Sequence, residues 1–277
     1  MAVDVLSYPP VVSLLTEERQ AYLSVQGDGP PHVTPMLYGL GHGRFGFFAE
    51  AGTLKTRILA DHDGAGVLVR RRRSLFLASG TARLVDLLSP RSVLRGRREL
   101  PRGALLTASF TVRNAIDLVA FVRDAVRGQA GSPPMRRALV TFEPERALFV
   151  SPGGLRTWGQ WPGAPLDDGA GHEHAHLDVE LAAATAAGPL PLPGRWDPER
   201  EQVEIPRWLT DTVGFDGGPV AIVVDDYGAA GPAAKQGLLL KGESIVVARR
   251  ADALVLAVDT ERVAAWDGVE TDSVAVS

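Results

Sequence analysis

The chain has 277 residues, 45% of them apolar, and a formal net charge of -4. That length holds one large domain or two ordinary ones with a real core, and the acidic balance supplies no general attraction to nucleic acid or anionic lipid. With no cysteine, disulfides, thiol nucleophiles and cysteine-ligated metal clusters are excluded.

The opening MAVDVLSYPP lacks a basic region followed by an apolar run, and no later stretch offers the ~20 uninterrupted apolar residues of a membrane span. A cytoplasmic protein, with no nucleic-acid or membrane partner, is expected. Lysine stands only at positions 55, 235 and 241 among many arginines. Each is therefore a deliberate placement of a compact, flexible charge.

In chain order, Ser13 to Tyr22 reads as a short helix capped by Ser13. AYLSVQ turns strand-like, GDGPP is turn chemistry, and HVTPMLYGL is a second strand with Pro35 marking an edge or bulge. Gly41, Gly43 and Gly46 match G-x-G-x-x-G, but the strand-forming RFGFFAE follows where a dinucleotide fingerprint needs a helix. Those glycines are a hairpin turn. TLKTRILADHD reads as a helix with Thr53 as N-cap, and AGVLVR and LFLASGTARLVDLL are the next strands. Helical patterns follow at 90–99 and 109–127, the second with Val112, Ile116, Leu118, Val119 and Val122 on one face. MRRALVTFEPERALFVS returns to strand. The Gly-, Pro- and Ala-rich stretch 151–194 reads as a linker carrying at most one short helix near 178–187, and 195–277 is again strand-rich. A meander with one short helix inside it favours an antiparallel barrel over βαβ units.

An internal repeat links the halves. LVTFEPERALFV (139–150) aligns without gaps on VLAVDTERVAAW (255–266), and LASGTARLV (77–85) on LLKGESIVV (239–247). The second copy has no counterpart of TLKTR, so one half binds and the other supports.

In TLKTR, a helix start leaves unpaired N–H groups and the positive dipole end outward, with Thr53, Lys55 and Arg57 adding a hydroxyl and two cations. That set suits a terminal phosphate. It equally suits an ordinary capped surface helix with solvated cations, and five residues alone leave both readings open.

The whole order from Thr16 to Asp86 resembles the pyridoxamine 5'-phosphate oxidase-like, FMN-binding split-barrel superfamily. The features that carry it are AYLSVQGDG, a P-H-V-T-P strand at 31–35, GRFGFFAE, T-x-K-x-R and I-L-x-D opening a helix, GAGVLVR, and S-G-T-A-R-L-V. The resemblance implies a mainly β (α+β) fold: a split β-barrel at 1–150 with a helical insertion about 89–130, then a second, degenerate barrel-like half. It also implies bound FMN, with Thr53 and Lys55 clasping the phosphate and Arg57 a weaker third contact. His32, Val33, Thr34 and Pro35 would line the ring, with Phe48, Ala49 and Arg73 nominated from the third strand and the following strand pair. The phosphate-oxidase enzymes carry arginines on the second strand and near the C-terminus; His32 and Thr34 replace the former and TDSVAVS offers none. Vitamin B6 oxidation is therefore not expected. The implied activity is a flavin-dependent oxidoreductase on a small molecule, with a deazaflavin coenzyme or a non-catalytic flavin or haem carrier as alternatives. The implied assembly is a homodimer, or an internal pseudo-dimer of the two halves.

Other features are read more plainly. The run Arg70 to Arg73 is a solvated turn or an edge of the cofactor pocket. His172, His174 and His176 would form a metal face only on a rigid strand, and their Gly- and Ala-rich surroundings favour a loop; no metal site is assigned. Trp158, Trp161, Trp196 and Trp208 pin the linker to the barrels, and Lys235 and Lys241 flank a strand as core-and-rim residues.

Overall fold

The structure, a computed structural model, describes residues 4–71, 73–85, 100–115, 119, 137–163, 179–197, 199–225, 236–267 and 270–276. The first helix, α1, spans Pro9–Glu17, earlier than the expected Ser13 to Tyr22. The prolines at its start bring a preset φ and no N–H to lose, so they and not Ser13 open it. Strand β1 (Gln20–Val25) then takes over the residues expected to finish that helix.

Strands β2 (His32–Gly41) and β3 (Arg44–Glu50) are joined by His42 and Gly43, both at positive φ. Two such residues form the primed turn whose twist matches a hairpin, so the glycine pattern is a turn, as expected. Helix α2 (Leu54–Asp61) leads to β4 (Gly64–Arg71) and β5 (Ser74–Val85). Helix α3 (Leu100–Arg113) begins nine residues before the expected 109 start. It turns Leu106 and Phe110 inward and leaves Val112 79% exposed, contrary to the apolar face read from the sequence. The helical pattern at 90–99 lies outside the described residues. Strands β6 (Arg137–Ser151) and β7 (Gly154–Trp158) complete the first sheet.

That sheet runs β3-β2-β1-β4-β5-β6-β7, and β3 also pairs with β6, closing β1 to β6 into a barrel. The second sheet repeats the order. Its strands are β8 (Val179–Thr185), β9 (Gly188–Asp197), β10 (Gln202–Pro206), β11 (Gly218–Asp225), β12 (Gln236–Arg249), β13 (Ala253–Asp267) and β14 (Glu270–Ala275). They run β10-β9-β8-β11-β12-β13-β14, with β10 closing on β13. A short helix α4 (Arg207–Val213) stands where α2 stands in the first barrel. The fold is mainly β, with two closed six-stranded barrels.

The stretch expected to be a linker with a helix near 178–187 holds β7, β8 and β9 instead. The physical reason lies in β8 and β9. Leu181, Ala182, Ala183, Leu190 and Leu192 are fully buried, and Pro189, Pro191 and Pro193 recur at every second residue, which puts every missing N–H on one edge of the strand. The His172 to His176 cluster lies outside the described residues.

The sequence repeat is also a repeat of register. Gly80 of β5 opposes Pro144 at a bulge of β6, and Gly242 of β12 opposes Thr260 at a bulge of β13. A Cβ on Gly80 would stand 2.1 Å from Glu143 O, and one on Gly242 1.9 Å from Asp259 O. Both bends need a residue without a side chain.

One core fills the first barrel, built from Leu23, Tyr38, Phe45, Phe47, Phe76 and Phe142 with their neighbours. The other is shared: Tyr22, Val33, Leu68, Leu77 and Val150 of the first barrel pack with the buried residues of the second. Trp161, Trp196 and Trp208 border it. Arg70 pairs with the fully buried Glu180 across this seam, and Arg71 with Glu17 and Glu18. Arg70 and Arg71 are thus tied down by ion pairs, while Arg73 is exposed in the turn and Arg72 lies outside the described residues. Among the described residues no helix is long and apolar enough to cross a membrane.

Candidate functional site

Helix α2 starts where β3 ends. Thr53 N and Thr53 Oγ1 both donate to Glu50 O, at 3.5 and 2.9 Å, and Thr56 Oγ1 donates to Thr53 O at 2.9 Å. The Thr53 hydroxyl proton therefore locks the strand-to-helix turn. No side chain caps α2, and its first turn has no acidic residue. The positive dipole end of α2 therefore suits an anionic group, with Lys55 in that same turn.

The start of β2 lies at the same end of the barrel, because His32 pairs with Val25 and Ala65 pairs with Val25 from the other side. His32 Nε2 lies 2.9 Å from Thr34 Oγ1. His32 Nδ1 is buried and has no hydrogen-bond partner among the described residues. Burial first, then the positive charges of Lys241 and Lys55, push the His32 pKa down to about 3. Near neutral pH it is an uncharged imidazole with a bare ring nitrogen. Lys55 comes from α2 and Lys241 from β12 of the second barrel, so two elements distant in sequence bring positive charge to one ring.

Lys241 is itself held below its ordinary pKa by burial and then by Arg262. The two residues are direct cross-strand partners, an arrangement of like charges that costs energy. No carboxylate among the described residues forms an ion pair with Lys241. Its reading as a core-and-rim residue fits a half-buried position on β12.

The other sequence-nominated residues are spread out. Val33 is 1% exposed and belongs to the core shared by the barrels, while Pro35 pairs with Tyr22 on that same seam. Arg57 is exposed, and its N–H closes the first turn of α2 onto Thr53 O at 3.0 Å. Ala49 is 2% exposed inside the first barrel, and the Phe48 ring packs edge-on against Phe110 of α3 at 4.7 Å. Arg73 lies in the β4–β5 turn, at the far end of β4 from α2. There it borders a different cavity of about 510 Å³, between α1 and the end of β6, with Ser13, Leu14, Arg71, Phe149 and Ser151. The structure gathers His32, Thr34, Thr53 and Lys55 at one end of the first barrel, packs Phe48 on Phe110 and Ala49 in the barrel interior, and sets Arg73 at the opposite end of β4. Among the described residues no group of three His, Asp or Glu side chains could hold a metal.

No protein-family model matches the chain, and no curated protein matches it. Solved structures do. A pyridoxamine 5'-phosphate oxidase-related, FMN-binding protein from Nostoc punctiforme is 14% identical, with 57% of this chain and 91% of that one covered and a TM-score of 0.39. An FAD-binding protein from Mesorhizobium loti is 17% identical over 54% of this chain and 97% of that one, at 0.34. A haem-binding protein from Mycobacterium smegmatis is 13% identical over 52% and 54%, at 0.36. These are likenesses of fold; the barrel assignment itself stands on the chain's own strand order and closure.

Proposed function

We propose that the chain is a flavin-binding split-barrel protein of the pyridoxamine 5'-phosphate oxidase-like type, holding FMN at the end of the first barrel that faces the second. The observation that carries this reading is His32. Its buried Nδ1 has no hydrogen-bond partner among the described residues, and two lysines direct positive charge at it from opposite barrels. A buried polar atom without a partner costs about 1–3 kcal/mol, and desolvating the Lys241 ammonium, which forms no ion pair with a carboxylate among the described residues, also costs. A ligand with a polar ring edge and an anionic tail offsets both.

In this reading the first-turn amides of α2 and the Lys55 ammonium hold the phosphate, and Thr53 acts indirectly by fixing the turn through Glu50 O. His32 Nδ1 and the backbone at the start of β2 take the polar edge of the ring, with Thr34 fixing the imidazole through Nε2. Bound flavin would supply two-electron transfer chemistry. The chain's own contribution is to orient the ring and to exclude water along the seam, as an FMN-dependent oxidoreductase on a small molecule requires.

A haem reading has one specific point in its favour: His32 stays neutral near pH 7 and its imidazole would be able to hold haem iron. Titration separates the readings. Purified protein is titrated with FMN, riboflavin, a deazaflavin coenzyme and haemin, following flavin fluorescence and the visible spectrum. FMN should bind, and Lys55→Met should weaken FMN far more than riboflavin, which lacks the phosphate. Unchanged FMN fluorescence at saturating protein would overturn the flavin reading, and a Soret band lost on His32→Ala would install haem.

A further inference from the structure

The two barrels can be compared residue by residue along one ladder. In the first, Ser79 pairs with Gly66, Gly66 with Ser24, and Ser24 with Val33. In the second, Lys241 pairs with Ala221, Ala221 with Ala182, and Ala182 with Pro191. The bulge glycines one residue beyond, Gly80 and Gly242, fix this alignment. Ser79 therefore corresponds to Lys241, Gly66 to Ala221 and, one residue before Val33 and Pro191, His32 to Leu190.

The barrels meet in a matching way, β9 over β4 and β1, and β2 over β11 and β8. At the β9 corner the join is filled. A Cβ on Gly66 would stand 2.3 Å from Pro189 O and 2.9 Å from Pro191 Cδ, so β9 rests on bare backbone. Ser79 Oγ donates to Ala187 O, and Leu190 is fully buried. At the β2 corner every one of these devices is replaced. Ala221 carries the methyl group that Gly66 lacks, so β2 cannot settle on β11 as β9 settles on β4. A lysine stands for the serine, and a histidine with a bare ring nitrogen for the leucine.

We propose that these two corners have diverged into one that is structural and one that binds. The second barrel supplies Lys241 to an anionic group of a ligand lying beside His32, and each chain takes one ligand rather than two. The proposal deepens the flavin reading and rests on it for the ligand's identity, but not for the existence of the corner. Lys241 and Arg262, directly opposed and like-charged, make an anion the ligand chemistry that relieves the arrangement.

The test uses the full chain. NMR titration of the His32 ring in the ligand-free protein should show its pKa rising in Lys241→Met and in Lys241→Gln, because a nearby positive charge is removed. Calorimetric titration with FMN should give one site per chain. Lys241→Met should weaken that site roughly tenfold, as loss of a charge-assisted hydrogen bond does, and Lys241→Arg should retain most of the affinity. If FMN does not bind, but inorganic phosphate shifts the His32 resonance in the parent chain and not in Lys241→Met, the corner stands and the flavin reading falls. Two FMN sites per chain, a His32 titration indifferent to both Lys241 variants, or a His32 resonance that neither FMN nor inorganic phosphate moves would each overturn the proposal.

Discussion

Arg70 of β4 and Glu180 of β8 form an ion pair through the seam of the two barrels, with the Glu180 side chain fully buried and that of Arg70 20% exposed. Removing one partner of a buried pair strands the other. Arg70→Met, which leaves the buried carboxylate uncompensated, should cost ~3–5 kcal/mol, measured by denaturant unfolding. Glu180→Gln, which leaves the partly exposed cation, should cost less. The double variant Arg70→Met with Glu180→Leu should recover much of the loss.

His32 makes stability depend on pH with a defined sign. Its folded pKa of about 3 lies below the ordinary 6.5, so the unfolded chain takes the proton more readily. The contribution is fully present above pH 6.5 and is lost as pH falls from 6.5 toward 3. At about 1.4 kcal/mol per pKa unit, it amounts to several kcal/mol. His32→Gln should flatten that limb of the stability curve relative to the parent, with the two curves parallel above pH 7.

Gly80 and Gly242 are predicted to be equally intolerant of a methyl group. Gly80→Ala and Gly242→Ala each push a carbon into a carbonyl oxygen of the facing strand. Each should lose more than the ~1–3 kcal/mol typical of overpacking, because backbone yields less readily than side chain. Thermal unfolding of the two single variants measures this; a neutral result at either glycine would contradict the shared bulge.

Helix α3 sits on β2 at close range. A Cβ on Gly39 would fall 2.6 Å from Phe110 N, Asn114 Nδ2 donates to Tyr38 O at 3.1 Å, and Leu40 N donates to Ser109 Oγ at 3.1 Å. Gly39→Val should lift the helix from the barrel. Limited proteolysis would then cut within 100–113 while the barrels stay resistant, and the parent chain should resist at those bonds.

The legible part of the fold was the part with strong local chemistry. The short strand-forming runs of β1 to β5, the positive-φ turn at His42 and Gly43 and the Thr53 start of α2 are all set within a few residues. The strands β8 and β9 were not legible. AAAT and PLPLPG carry no alternation, since β9 is buried on both faces and β8 packs small side chains against other strands. The proline spacing makes sense only once β9 is known to pair with β8 alone over 189–193, its pairing with β10 being confined to 195–197. At the site, Thr53 and Lys55 could be read from a local pattern, as could His32 as a strand residue. Its coupling to Lys241 could not, because it depends on two barrels meeting. Phe48 and Ala49 were nominated through the family resemblance, and the pleat packs one against α3 and the other inside the barrel.

Tethering has a consequence for how the seam between the barrels responds to change. In two identical subunits every substitution appears on both sides of the symmetry axis, so a glycine that lets one strand settle would let its twin settle too. Here Gly66 and Ala221 differ freely, and the polypeptide keeps the halves at a high effective concentration that dilution cannot lower.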